Sequence, residues 1–261
     1  MTDPVHFEKN GEIVEITLDR PPANAIDAAV SRALYAAFRK YEDDPELRVA
    51  ILTGAGGRFF SAGWDLKAAS AGEETDADHG EGGFAGLTEY YGRRKPIIAA
   101  VNGLAVGGGF ELALACDLIV AAEGAEFFLP EVRIGIIADA GGVLRLPHRL
   151  PRAIANRLLL TGDRLSAADA ARFGLVNEVV APEKLGDAAN TLAQRIAEAA
   201  PIAIRAVKAV LEATETASIE AGFALLRSRE IPEYGQMLDS EDALEGPRAF
   251  AEKRAPSWKG R

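Results

Sequence analysis

The stretch VNGLAVGGGFELALACDLIVAA, Val101–Ala122, reads as the end of one buried strand, a glycine turn, an apolar helix and the start of another buried strand. It is among the most apolar stretches of the chain, yet Glu111 stands near its middle. A buried, unpaired carboxylate is costly, and full burial raises its pKa by about 3–5 units. Gly107, Gly108 and Gly109 come just before the helix. The first N–H groups of a helix lack internal partners and its dipole is positive there, so a glycine at that end lets a ligand oxygen approach the backbone. Gly108 is the candidate donor. Glu111 follows three residues on, about 4.5 Å along the axis and on roughly the same side. The same glycines also serve a plain strand-to-helix turn. The string is neither GxGxxG nor followed by GK[ST], which argues against a nucleotide phosphate loop.

Outward from this stretch the strand–helix rhythm continues. VHFEKNGEIVEITLDR holds Asn10–Gly11 between two strand-like runs, a hairpin signal. Asp27 is placed to cap a helix over about 28–41, with Val30, Leu34, Ala37, Phe38 and Tyr41 as its apolar stripe. RVAILTG and KPIIAAVNG read as buried strands, and LIVAAEGAEFFLPE as two short ones. Residues Ser70 to Gly83 are acidic and glycine-rich, as in a mobile surface loop. After Pro201 only helical patterns occur. The expectation is an α/β core over residues 1–200 and a helical extension over 201–261.

The 261 residues suit one large domain, or one with an appendage. A formal net charge of −10 argues against a nucleic-acid or acidic-membrane binder, though not against a small anionic ligand. Cys116 is the only cysteine, and His6, His79 and His148 form no metal-binding spacing, so no metal site is expected. The start, MTDPVHFEKNGEIVE, shows no signal-peptide pattern. The span 96–122 is long enough for a membrane but carries Asn102, four glycines, Glu111 and Asp117, and reads as soluble core. The expected location is the cytoplasm. A second carboxylate, Glu131, ends the apolar run FFLPE. It is either a strand-end charge in solvent or the partner of Glu111, since two like charges held close divide acid and base roles.

Three segments in order, FFSAGWDLK, AVNGLAVGGGFELALACD and LPEVRIGIIADAGGVLRLP, together resemble the crotonase (enoyl-CoA hydratase/isomerase) superfamily over essentially the whole chain. The resemblance implies a spiral of ββα units, a C-terminal helical trimerisation region, and a homotrimer or dimer of trimers. It implies an acyl-CoA thioester substrate and reversible hydration or dehydration at its α,β positions, with no cofactor beyond the coenzyme A of the substrate. By the same resemblance, Ala62 and Gly108 supply the N–H groups of an oxyanion hole, Glu131 serves the α-carbon and Glu111 the hydroxyl or water. Ala62, Gly63, Trp64, Asp65, Leu66 and Lys67 would embrace coenzyme A, and Phe250 and Lys253 would reach it from a neighbouring subunit. Ala138 departs from the proline many relatives carry there; Gly141–Gly142 are kept. A quaternary ammonium on the acyl group would call for aromatic faces, for which Trp64, Phe84, Tyr90 and Tyr91 are the candidates. A general hydratase of neutral acyl chains and a CoA-ester-binding subunit without turnover remain as alternatives.

Overall fold

Strands followed by a helix recur along the chain, and each repeat gives strands to different sheets. The computed structural model describes residues 3–72, 74 and 77–261. Strands β1 (Val5–Asn10) and β2 (Ile13–Leu18) form the expected hairpin and precede the two-residue strand β3 (Ala25–Ile26) and helix α1 (Ala28–Asp43). The hairpin loop is Gly11–Glu12, one residue on from the Asn10–Gly11 pair, because Gly11 takes the left-handed φ of 61°. Next come β4 (Val49–Gly54), β5 (Phe59–Ser61), β6 (Gly63–Trp64) and α2 (Leu66–Ser70). The third repeat is β7 (Ile97–Val101), β8 (Leu104–Val106) and α3 (Gly108–Ala115). The fourth is β9 (Leu118–Ala122), β10 (Glu126–Phe128) and α4 (Gly142–Arg149). Then follow α5 (Arg152–Thr161), β11 (Leu165–Ser166), α6 (Ala167–Arg172), β12 (Glu178–Val180) and α7 (Leu185–Ala197).

The larger sheet runs β1-β2-β4-β7-β9-β12, parallel except for the β1–β2 hairpin. Its central strand β7, IIAAV, is buried at every position, as a parallel strand covered on both faces must be. The second sheet runs β11-β10-β8-β5, and β3 pairs with β6. Helix α1 starts where Asp27 accepts the Val30 N–H at 2.9 Å, and its predicted stripe is buried.

Asn24 fixes how β5 and β6 leave the first repeat. It is buried at a left-handed φ of 52°. Its amide Nδ2 donates to the carbonyls of Ala55 (3.0 Å), Phe59 (3.1 Å) and Phe60 (3.2 Å), and its Oδ1 accepts the Arg20 N–H. The Ser61 hydroxyl then donates to the Asn24 carbonyl at 2.7 Å.

The chain divides into two compact units. One holds Met1–Tyr91 and Ile97–Ala193; the other holds Gly92–Pro96 and Gln194–Arg261. The division falls inside α7 rather than at residue 200, and the second unit recruits a distant five-residue segment. The cause is charge pairing: Arg94 meets Glu212 at 2.8 Å and Glu233 at 2.5 Å, and Lys208 donates to the Lys95 carbonyl. The second unit is helical throughout: α8 (Pro201–Thr214), α9 (Ile219–Ser228), α10 (Pro232–Leu238) and α11 (Glu241–Glu252). The sequence reading missed α10, a seven-residue helix opened by Pro232 and too short for a clear periodicity. Among the described residues no helix is long and apolar enough to cross a membrane.

Replacing Asn24 by Ala leaves buried carbonyls without donors. The expected loss is about 1–3 kcal/mol, read as a lower urea midpoint with an unchanged slope.

Candidate active site

Backbone packs on backbone at the start of α3. A side chain on Gly109 would strike the Ser61 carbonyl, and one on Gly108 would strike the Phe84 ring. A Cβ on Gly63, whose φ is 76°, would lie 2.5 Å from the Val106 carbonyl and 2.7 Å from the Gly108 nitrogen. The glycines of both segments are therefore what lets the 61–64 backbone lie against the helix end. Among the described residues the Gly108 N–H has no backbone acceptor, as befits the first residue of a helix.

Ala62 does not stand beside it as an open donor. Its N–H donates to the Ala23 carbonyl at 2.9 Å. The neighbouring N–H groups of Gly63 and Asp65 donate to the Ser61 hydroxyl (3.0 Å) and the Ile26 carbonyl (2.9 Å). The cause is the β3–β6 pairing, which sequence periodicity does not reveal in strands of two residues.

Glu111 projects from the first turn of α3 and is 3% exposed. Its Oε1 accepts the Gly142 N–H at 2.7 Å, from the first residue of α4. Burial pushes its pKa up to about 8 against that hydrogen bond; the charges of Glu131 and Asp139 raise it further, and Arg145 opposes them. Glu131 opens a short 3₁₀ helix, Glu131–Ile134, and is 8% exposed. Its Oε1 lies beside Gly107, where a Cβ would come within 2.7 Å, and its Oε2 has no hydrogen-bond partner. Burial, then the Asp139 charge, raise its pKa, while its own backbone N–H lowers it. Glu131 lines a cavity of about 380 Å³ whose other walls include Leu129, Ile137, Ala138, Val143 and Leu159. Two buried carboxyls with raised pKa values near a helix start whose first N–H lacks an intrahelical partner can exchange protons with a substrate whose developing oxyanion that N–H receives.

The other expected site residues divide. Trp64 is half-buried and packs on the core, and Leu66 and Lys67 are exposed on α2. Asp65 is structural. Its Oδ1 accepts the N–H groups of Lys67 and Ala68, and its Oδ2 pairs with Arg20 at 2.8 Å. Burial raises its pKa, but those partners outweigh it and the carboxyl sits below its ordinary value. Phe84 abuts Gly108, whereas Tyr90 is buried edge-on against Tyr35 with its pKa pushed up to about 12, chiefly by burial. Tyr91 is 71% exposed. Of the four aromatic candidates, Tyr90 is taken up by the core. Phe250, 86% exposed, and Lys253 close α11 in the second unit. Of the acidic loop, Glu73 and Asp76 lie outside the described residues, and Glu74 is exposed. The described part, 77–83, is tied to α1: Arg32 donates to the Asp78 carbonyl, His79 pairs with the Ser31 hydroxyl, and the Tyr35 hydroxyl donates to Glu81. Gly142, Asp139 and Arg145 escaped the sequence reading of the site; the one available signal was that a buried Glu111 needs a donor.

A family model described as enoyl-CoA hydratase/isomerase matches residues 8–261, and the chain belongs to that family. It is 59% identical to a carnitinyl-CoA dehydratase of Salmonella typhi over 261 residues, all of both chains. Among solved structures it resembles an enoyl-CoA hydratase from Mycobacterium tuberculosis H37Rv, with a TM-score of 0.90 and 45% identity over 99% of this chain and 100% of that one. It also resembles a carnitinyl-CoA hydratase from Mycobacterium avium, with a TM-score of 0.78 and 48% identity over 100% of both.

The Glu111 shift has a stability consequence. The carboxyl titrates near 4.5 when unfolded and near 8 when folded. Between these values the unfolded chain has lost a proton that the folded chain keeps, so rising pH favours unfolding until about 8. Glu111→Gln removes that burden and keeps an acceptor for Gly142. The variant is expected to gain stability over wild type at pH 8 and to lose that advantage by pH 5. Urea midpoints at the two pH values check it; an equal gap at both refutes the raised pKa.

Proposed function

We propose that this chain is a hydro-lyase that interconverts carnitinyl-CoA and crotonobetainyl-CoA. The reaction class rests on one observation: two buried carboxyls, Glu111 on the first turn of α3 and Glu131 beside Gly107, gather at the helix start whose first residue is Gly108. The acyl group rests on the 59% full-length identity to the Salmonella typhi carnitinyl-CoA dehydratase.

In dehydration, ionised Glu131 takes the α-proton, and the C–H electron pair moves into the thioester as an enolate. The Gly108 N–H receives the enolate oxygen. The enolate then re-forms the carbonyl and an α,β double bond as the β-carbon–oxygen bond breaks. Protonated Glu111, whose pKa near 8 keeps it an acid at neutral pH, gives its proton to the departing hydroxyl, which leaves as water. Glu131 ends protonated and Glu111 ionised, and proton exchange resets the pair. Proton transfers alone carry the reaction, so this reading calls on no cofactor beyond the coenzyme A of the substrate. Leu66 and Lys67 on α2 take the nucleotide end.

The second unit is the oligomerisation region of a trimer or dimer of trimers in this reading, placing Phe250 and Lys253 at a neighbour's coenzyme A. Its exposed Val207, Leu211, Ile219, Phe223 and Leu244 support that role. The recurring strand–strand–helix order supports the ββα spiral, and the acidic composition fits a cytoplasmic enzyme.

Glu111→Gln and Glu131→Gln are each expected to lower turnover of crotonobetainyl-CoA at least about 10²-fold, with CoA-ester affinity within a few-fold of wild type. Near-normal turnover in either removes that residue from the mechanism. Sedimentation is expected to show no stable active monomer at assay concentration.

A further inference from the structure

With Tyr90 taken up by the core, a cationic acyl group has one aromatic candidate fewer, and the structure offers a carboxylate as a further partner. Residues 137–141 link the 3₁₀ helix that carries Glu131 to α4, whose first N–H holds Glu111. The link is closed on itself: the Asp139 N–H donates to the Ile137 carbonyl at 3.0 Å, and the Val143 N–H donates to the Ala138 carbonyl at 3.0 Å. Ala138 is buried against Gly142 and lines the cavity beside Glu131. Asp139, the next residue, is exposed and, among the described residues, makes no ion pair or side-chain hydrogen bond. Its charge acts on both buried glutamates. The cation on this side is Arg145, which lies against Gly141 and donates to the Thr88 carbonyl at 2.6 Å. Glu131 lines the same cavity, and its buried Oε2 has no hydrogen-bond partner among the described residues.

A quaternary ammonium has no N–H. It is recognised only by Coulomb attraction and by aromatic faces. In a carnitinyl thioester it sits one methylene beyond the β-carbon. Any pose that brings the β-hydroxyl to Glu111 and the α-hydrogen to Glu131 therefore puts the ammonium within a few bond lengths of both, in the region where Asp139 is felt.

We propose that Asp139 is a specificity-determining residue that draws an acyl group bearing a quaternary ammonium to the Glu111–Glu131 pair. The inference rests on the proposed dehydratase reading and names the contact that selects its substrate. A neutral acyl chain gains nothing from this carboxylate, while a cationic one gains a counter-charge and relieves the repulsion among Glu111, Glu131 and Asp139.

The test is kcat/KM for crotonobetainyl-CoA and crotonyl-CoA in wild type, Asp139→Asn and Asp139→Glu, at low and high salt and across pH. In Asp139→Asn the cationic-to-neutral ratio is expected to fall about tenfold at low salt and less at high salt, since an exposed charge is screened. Asp139→Glu keeps most of the ratio. With both substrates the Asn variant also shifts the Glu111 limb of the pH profile to lower pH, because one neighbouring anion is gone while Glu131 and Arg145 remain; a merely structural role would leave that limb in place. A wild type that prefers the cationic thioester, with a ratio unchanged in Asp139→Asn, overturns the assignment of Asp139 alone. A wild type that does not turn over crotonobetainyl-CoA overturns the dehydratase reading, and the assignment with it.

Discussion

Backbone lies directly against backbone where Gly63 meets Gly108 and Gly109, and the candidate site depends on that contact. A side chain at Gly63 or Gly109 would push the 61–64 segment off the start of α3, and one at Gly108 would meet the Phe84 ring. The approach is held from behind by Asn24, which collects three carbonyls from the segment entering β5 and β6, and by Arg20, which joins Asp27 at the cap of α1 to Asp65 at the start of α2. Small residues in front and polar anchors behind hold the start of α3, which carries Glu111 and lies beside Glu131. Long-range charge is not needed for that placement.

Much of this was legible in the sequence. The buried strands around Val101, the Asp27 cap and the apolar stripe of α1 follow from periodicity and capping chemistry. Glu111 was legible because a carboxylate inside an apolar helix asks for an explanation. What escaped has a common cause. Ala62 loses its place as an open donor to a strand pairing two residues long, Tyr90 goes to the core through contact with α1, and Asp139 matters because a turn carries it back toward residues on two other elements. Each is a matter of non-local contact, and a single sequence encodes such contacts only through the fold they complete.

The site is also a place where the chain accepts an unfavourable arrangement. Burying Glu111 and Glu131 with Asp139 close by concentrates negative charge, which the Arg145 guanidinium partly offsets at Glu111. The surrounding packing, from Leu112, Leu114, Phe110 and Phe127 among others, absorbs that cost. Proteins tolerate such local instability where activity requires it. Here it keeps one carboxyl an acid at a pH where an exposed glutamate is fully ionised.

The segment 92–96 bears on how the protein is made. Arg94 leaves the ribosome early, but its partners Glu212 and Glu233 follow 118 and 139 residues later. At about 5–20 residues per second, that interval is on the order of ten seconds. Strand β7 directly follows this segment, so the centre of the larger sheet is synthesised well before the helical unit that receives 92–96 can close. A nascent chain arrested near residue 193 would therefore present a sheet whose adjoining segment has lost its destination, a natural foothold for a chaperone and a reason why the C-terminal helices cannot be trimmed away as a detachable module.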